Sequence, residues 1–175
     1  MPVRPLRRLA TVLALACSAA LIISGCATAG AAPGSAPTGA LPELTADDHV
    51  EIVFESYNLS GQGIWGDTIQ GLIEQFNAEH PNIVVTGQGI DSASTAASIQ
   101  QQVLAGDPPD VGQMTFDTMS FSAESLNAAN LTEVVGQDKL DEHFGGEYPY
   151  HERARVLADI DGATYGLPYV FSTPV

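Results

Sequence analysis

The chain is nearly bare of positive charge. It carries 6 Lys and Arg against 21 Asp and Glu. Arg4, Arg7 and Arg8 lie in its first eight residues, which leaves Lys139, Arg153 and Arg155 for everything beyond. Past residue 25 the formal charge is therefore −18, three bases against all 21 acids. Phosphate backbones need basic partners, so this balance excludes a nucleic-acid binder. It equally disfavours adhesion of the protein surface to an anionic membrane. A solvated acidic surface that keeps a secreted domain soluble is the simplest reading. Cysteine is almost as scarce: Cys17 and Cys26 are the two. Cys17 lies inside an apolar leader, so a processed chain has nothing to pair with Cys26, neither a disulfide framework nor a cysteine metal site. His49, His80, His143 and His151 are scattered without close ligand spacing, and no metal or other cofactor is expected.

Catalytic signatures are missing too. The glycine-containing loop from Asn58 to Gly63 lacks the Gly-Lys-Ser/Thr ending of a phosphate loop. There is no Gly-x-Ser-x-Gly, no His-Glu-x-x-His and no nucleophile beside a base. Asp110 and Asp117 are close enough in sequence to suggest a glycosidase pair, but the strand between them should hold their side chains apart. An envelope hydrolase is therefore the weakest of the functional readings, and the chain is read as a non-enzyme.

What is present begins with the leader. A basic start, an apolar run from Leu9 to Ile23 and the small residues Ser24 and Gly25 before Cys26 form a secretory signal peptide, too short to stay as a membrane span. Ile23-Ser24-Gly25-Cys26 resembles the lipobox of bacterial lipoproteins, which implies acylation of Cys26 and a lipid anchor at the cell membrane. Residues 1–25 are then the signal peptide. Residues 26–48, rich in Ala, Gly, Pro, Ser and Thr, read as a flexible tether. Residues 49–175 are the folded part.

The folded part opens with a strand from Val50 to Tyr57. An amphipathic helix follows, with Trp65, Ile69, Leu72, Ile73 and Phe76 on its core face and Asp67, Gln70, Glu74 and Asn77 opposite. Pro81 stops it, and Ile83 to Thr86 form a second strand. Strand, helix and strand within about 30 residues make a βαβ crossover and a parallel pair. Gly87 to Asp91 read as a loop. Ser94 to Ala105 read as a helix with Ala96, Ile99 and Val103 inward and Gln100, Gln101 and Gln102 near the surface. Gly106 ends it in the left-handed position. Asp107-Pro108-Pro109 forces an extended turn, and Asp110 to Met114 form a third, half-buried strand. Asp110 is assigned to this turn. Further on, the pattern predicts a helix from about Thr118 to Ala128, an apolar connector at Leu131–Val135, a charged surface helix at 137–144 and a short helix within 149–156. An Asp161-Gly162 hairpin closes the pattern.

These segments, in this order, resemble the extracellular solute-binding proteins of ABC importers, family 1, the sugar-binding group that includes the maltose-binding proteins. The resemblance is carried by the lipobox, Ser56-Tyr57-Asn58, the run Gln75 to Ile83, Gly106-Asp107-Pro108-Pro109-Asp110-Val111, Asp161 to Tyr169, and Ser172-Thr173-Pro174-Val175. It implies an α/β fold, a periplasmic-binding-protein type II-like first lobe with a mainly parallel sheet flanked by helices, and an amino-terminal fragment whose second lobe is missing. It implies a monomer that binds an extracellular mono- or oligosaccharide and delivers it to the permease subunits of an ABC transporter. Glycerol 3-phosphate or a glycerophosphodiester is the alternative ligand within the same fold.

Sugars need carboxylates and amides for their hydroxyls and aromatic faces for their rings. Ligands of open α/β sheets bind at the carboxyl ends of strands. The loop after the first strand offers Tyr57, Asn58 and Gln62. The third strand and its exit offer Gln113, Phe116 and Asp117. By the resemblance, Asp117 matches a sugar-contacting aspartate, Ser172 a further ligand contact, and Met114 stands where maltose binders place a stacking aromatic. The expected ligand-binding set is Asn58, Gln113, Phe116, Asp117 and Ser172. Asp117 stands equally as a cap of the following helix, and Asn58 as a turn residue.

Overall fold

A computed structural model describes residues 36–61 and 63–171. Cys26, Gln62, Ser172 and the whole leader lie outside the described residues.

Three parallel strands in the order β2-β1-β3 form the sheet that places the site. β1 (Val50–Ser56) pairs along its full length with β2 (Ile83–Gly89), Val50 beside Ile83 and Ser56 beside Gly89. β3 is brief (Val111–Gly112) and pairs with Phe54 and Glu55 of β1. The chain thus goes from the central strand to one side and then to the other, which creates a switch point between β1 and β3. The segment from Gly87 to Gly89, expected in a loop, continues β2 as strand. Glycine suits its end: a Cβ on Gly89 would stand 2.6 Å from the Leu59 carbonyl oxygen.

Alternation along the strands sends neighbouring side chains to opposite faces. Gly87 lies against Ile73 of α1 (Ile64–Glu79), and Gly112 against Ile99 of α2 (Thr95–Ala105). Because Gly87 pairs with Phe54 and Gly112 with Glu55, the two helices cover opposite faces. Ile69 and Ile73 are buried as expected. Trp65 and Leu72, each 60 % exposed, and Phe76 at 38 % are not part of the core that the helical period predicts. The strip presented by β1 and β2 is filled by the two isoleucines, and the apolar stripe is wider than the sheet beneath it. Asn77, expected to face solvent, clamps the outer edge of β2. Its amide donates to the Val85 carbonyl oxygen (2.9 Å) and its oxygen accepts from the Val85 N–H (2.8 Å), which closes an edge open to foreign strands.

α2 ends in the left-handed turn that Gly106 provides, φ +80°. Gly106 N–H reaches the Val103 carbonyl and Asp107 N–H reaches that of Gln102, the double bond of a Schellman ending. Gln102, expected near the surface, is half-buried and donates to Glu55 Oε2 at 2.7 Å. Glu55 is fully buried beneath α2. The turn role of Asp110 has a definite form: its Oδ2 accepts from Val53 N–H at 2.8 Å, extending the β1–β3 ladder by one side chain.

Short elements complete the chain: α3 (Met119–Ser125), α4 (Leu131–Val134), α5 (Gln137–Gly145) and α6 (Glu152–Arg155), then a hairpin of β4 (Asp159–Ile160) and β5 (Ala163–Thr164). The connector expected at 131–135 is helical because Asn130 caps it. The Asn130 oxygen takes the Thr132 N–H, and its amide donates to Glu133. α5 is more than a surface helix, since Leu140 and Phe144 are buried. At the hairpin tip Asp161 (φ +50°) and Gly162 (φ +83°) adopt the left-handed pair that an Asp-Gly turn provides. Residues 36–48 are largely exposed, yet Leu41 N–H donates to the Val134 carbonyl oxygen and Glu43 pairs with Lys139.

Candidate functional site

A cavity of about 240 Å³ opens at the carboxyl ends of β1 and β3. Three short stretches build it. Tyr57 enters from the 3₁₀ turn that follows β1. Gln113, Met114 and Thr115 come from the end of β3, with Asp117 and Thr118 from the next turn. The third stretch is the start of α2, through Ser92, Ala93, Thr95 and Ala96.

Gln113 is fixed at the bottom. It is buried, its N–H extends the ladder to the Glu55 carbonyl oxygen at 2.8 Å, and its side-chain Oε1 accepts from Ser56 Oγ. Ser56 Oγ in turn accepts the Asn58 N–H at 3.1 Å, so the two strand ends and the turn after β1 share one small network. With its oxygen held, the Gln113 amide NH₂ has no partner among the described residues. At the start of α2, Ser94 places no side-chain oxygen on the first turn. The first N–H groups of that helix therefore remain for water or a ligand, at the positive end of the helix dipole.

The turn after β3 adds acceptors. Thr118 Oγ1 donates to the Thr115 carbonyl oxygen at 2.8 Å and lies 3.3 Å from Thr115 Oγ1, so the Thr118 hydroxyl hydrogen is engaged locally. Asp117 is exposed, and neither the turn at 116–118 nor α3 has a side-chain cap. The helix-capping role open to Asp117 is thus not taken up. Asp117 is the one charged residue lining the cavity, and no described cation borders it. Lys139 is engaged with Glu43 and Arg155 with Asp141.

Of the expected ligand set, the fold gathers Gln113 and Asp117 on this cavity. Asn58 stands beside it, its amide donating to Tyr169 Oη at 3.3 Å. Burial pushes the Tyr169 phenol above its ordinary value, opposed by hydrogen bonds with Asn58 and Ser56. Phe116 is 72 % exposed and does not line the cavity. Met114 does line it, at the position where the resemblance anticipates an aromatic. Sequence reasoning missed the start of α2. The rule applied to β1 and β3, that ligands gather where strands end, applies also to β2, whose exit leads to Ser92 and Thr95.

The described chain is thus one lobe of the type II periplasmic-binding-protein fold, a parallel sheet flanked by helices. Solved structures share it. An ABC substrate-binding protein of Listeria monocytogenes, in complex with cycloalternan, matches with a TM-score of 0.55 and 22 % identity over 68 % of this chain and 28 % of its own. The GacH receptor of Streptomyces glaucescens, solved unliganded and with acarbose, matches with a TM-score of 0.56 and 21 % identity over 69 % of this chain and 29 % of its own. The galacto-N-biose-/lacto-N-biose I-binding protein of Bifidobacterium longum, in complex with lacto-N-biose, matches with a TM-score of 0.55 and 18 % identity over 71 % and 29 %. The present chain therefore spans less than a third of the length of these proteins. No curated protein matches it. The family model of the bacterial extracellular solute-binding proteins matches residues 62–175, which is most of the folded chain, and the protein belongs to that family.

Proposed function

We propose that this protein binds an extracellular carbohydrate and delivers it to the permease of an ABC transporter, acting as a binding protein and not as an enzyme. One observation carries the reading: a cavity at the switch point of the sheet, lined both by uncommitted hydrogen-bond donors and by Thr115, Asp117 and Thr118. Polyhydroxylated ligands, both donors and acceptors, suit such a surface. Structures of the same fold in complex with cycloalternan, acarbose and lacto-N-biose add support. Asp110 accepts the Val53 N–H, which supports a turn role for it over that of a second carboxylate of a hydrolase. Gln113, Asp117 and the start of α2 are the residues assigned to ligand contact on this lobe, with Asn58 beside them and, by the resemblance alone, Ser172 as a further contact.

Membership in an extracellular family implies an extracytoplasmic location. The finer reading is a lipoprotein anchored through Cys26, with residues 26–48 as its tether. Changing Cys26→Ser should abolish incorporation of labelled fatty acid; labelling equal to wild type contradicts the anchor. Ligand binding is tested by saturation-transfer NMR, which detects weak complexes, on the mature chain with a panel of neutral mono- and oligosaccharides. Saturation transfer to at least one of them, competed by excess unlabelled sugar, is the expected outcome. Silence across the panel contradicts the carbohydrate reading.

A further inference from the structure

We infer that Glu55 is a positioning residue of the cavity: its buried carboxylate holds α2 in register on β1 and so sets where the first turn of that helix stands. This rests on the reading of the cavity as a ligand site above, and not on which ligand it takes. Glu55 has no exposed surface. Its Oε2 accepts from Gln102 Nε2 at 2.7 Å, and the same amide lies 3.3 Å from Ser98 Oγ, one turn earlier on α2. Its Oε1 has no hydrogen-bond partner among the described residues. Its backbone carbonyl oxygen takes the Gln113 N–H. One residue of the central strand thus ties Gln113 through its main chain and α2 through its side chain, and both line the cavity.

A buried carboxylate with an unsatisfied oxygen is a poor source of stability. Its desolvation is costly against one hydrogen bond, and an apolar pair of similar volume in its place is often neutral or stabilising. Such a bond supplies direction instead. Apolar burial is non-directional, and α2 offers little of it. Ile99 is the one buried apolar residue of the helix, and it lies on Gly112, which has no side chain to lock it in place along the axis. The start of α2 is not fixed to the sheet by its own polar groups either. Ser94 makes no side-chain cap, and the Thr95 hydroxyl donates back to the Asp91 carbonyl oxygen in the preceding loop. Among the described residues, the Gln102–Glu55 bond is the one side-chain hydrogen bond from α2 to the sheet. A slide of α2 along its axis would carry Thr95 and Ala96 of the cavity lining with it.

The test is the ¹⁵N–¹H amide spectrum of the mature chain without ligand, with a thermal melt, for two variants. One combines Glu55→Leu with Gln102→Leu; the other is Glu55→Gln. The double variant removes both partners and leaves neither unpaired, so its melting temperature should match or exceed that of the unsubstituted protein. The amides of Ser94, Thr95 and Ala96 should nevertheless shift, although Thr95 lies about 10 Å along the helix from Gln102. Glu55→Gln keeps an oxygen for Gln102 and should leave those amides in place. Should circular dichroism show the double variant unfolded, Gln102→Ala, which cuts the same bond from its half-buried end, replaces it with the same shifts expected. Unmoved first-turn amides in a folded variant overturn the inference, whatever the melting temperature. Shifts in Glu55→Gln as large as those in the double variant overturn it as well, since the acceptor would then not be what holds the helix. No ligand enters this measurement, so its failure leaves the carbohydrate reading standing, and silence of the saccharide panel leaves the register of α2 standing.

Discussion

Two cavities of comparable size among the described residues differ in how far their polar groups are already satisfied. One lies at the end of the sheet, about 240 Å³; the other, about 300 Å³, lies between α5 and α6. The larger is the more conspicuous by residue type, since it contains Asp141, Phe144, Tyr150, His151 and Arg155. Four of its groups, however, hold one another, while the Glu152 carboxylate that also lines it makes no described hydrogen bond or ion pair. Arg155 pairs with Asp141 at 2.7 Å and lies 5.1 Å over the Phe144 ring. Phe144 meets Tyr150 edge to face at 5.4 Å. At the end of the sheet more is left free: the first N–H groups of α2, the Gln113 NH₂ and the Asp117 carboxylate have no described partner. A hydrogen bond between protein groups must be broken before a ligand can use either one, whereas an uncommitted group in a pre-formed cavity exchanges only water. Availability of polar groups, more than size or the presence of charge, marks the sheet end as the site.

The contrast can be broken in four ways. The largest effect is expected from Phe144→Ala. Removing this buried ring should cost about 3–5 kcal/mol of stability, read from urea denaturation, and leave saccharide-induced shifts unchanged in the folded fraction. A loss of binding with stability intact would make the helical cavity a site after all. Next comes Asp117→Ala, which should lower saccharide affinity roughly ten- to a hundredfold, the equivalent of about 1.5–3 kcal/mol for a bond to a charged group. Its melting temperature should hold, because Asp117 caps neither adjoining helix. A lower melting temperature with unaltered affinity would reverse its role. A smaller effect follows from Tyr169→Phe. It removes the acceptor of a 3.3 Å contact with Asn58 at the rim, worth about 0.5 kcal/mol for a half-exposed neutral bond, and thermal melts should register only that. The smallest concerns Asp141. Hydrogen bonds from Gln137 and Arg155 hold its carboxyl below its ordinary value of 3.8. A depressed carboxyl contributes stability above its unfolded value and loses it as pH falls through the folded one. Asp141→Asn should therefore lower stability slightly at neutral pH, converge with the unsubstituted protein in acid and so flatten the loss of stability below about pH 4, measured by urea midpoints at several pH values. A flattening at neutral pH instead would contradict that assignment.

The same contrast explains what was legible in the sequence. Regular spacing is a local signal, so the βαβ unit, the Gly106 ending of α2 and the Asp161-Gly162 turn could be read directly. Polar connections across the sheet could not. Gln102 reads as one of three surface glutamines, yet it faces Glu55 from 47 positions away in sequence. Asn77 reads as a solvent residue, yet it closes the edge of β2. The extent of the core also escaped: Trp65, Leu72 and Phe76 have the helical period of buried residues but no described element lies over them. The site was half legible. Gln113 and Asp117 follow from the strand-end rule; Ala93, Thr95 and Ala96 do not, because the pattern ends the second strand at Thr86 while β2 runs on to Gly89 and delivers the chain to them. The four-residue α4 shows the other limit, since its existence depends on the Asn130 cap and not on an apolar stripe.

The most direct test of the central claim is to map, residue by residue, the amide resonances of the mature chain that respond to a bound saccharide. Shifts concentrated at residues 92–96 and 113–118, with residues 141–155 silent, are the predicted result. Shifts concentrated at 141–155, or none at the sheet end when a saccharide is bound, would contradict it.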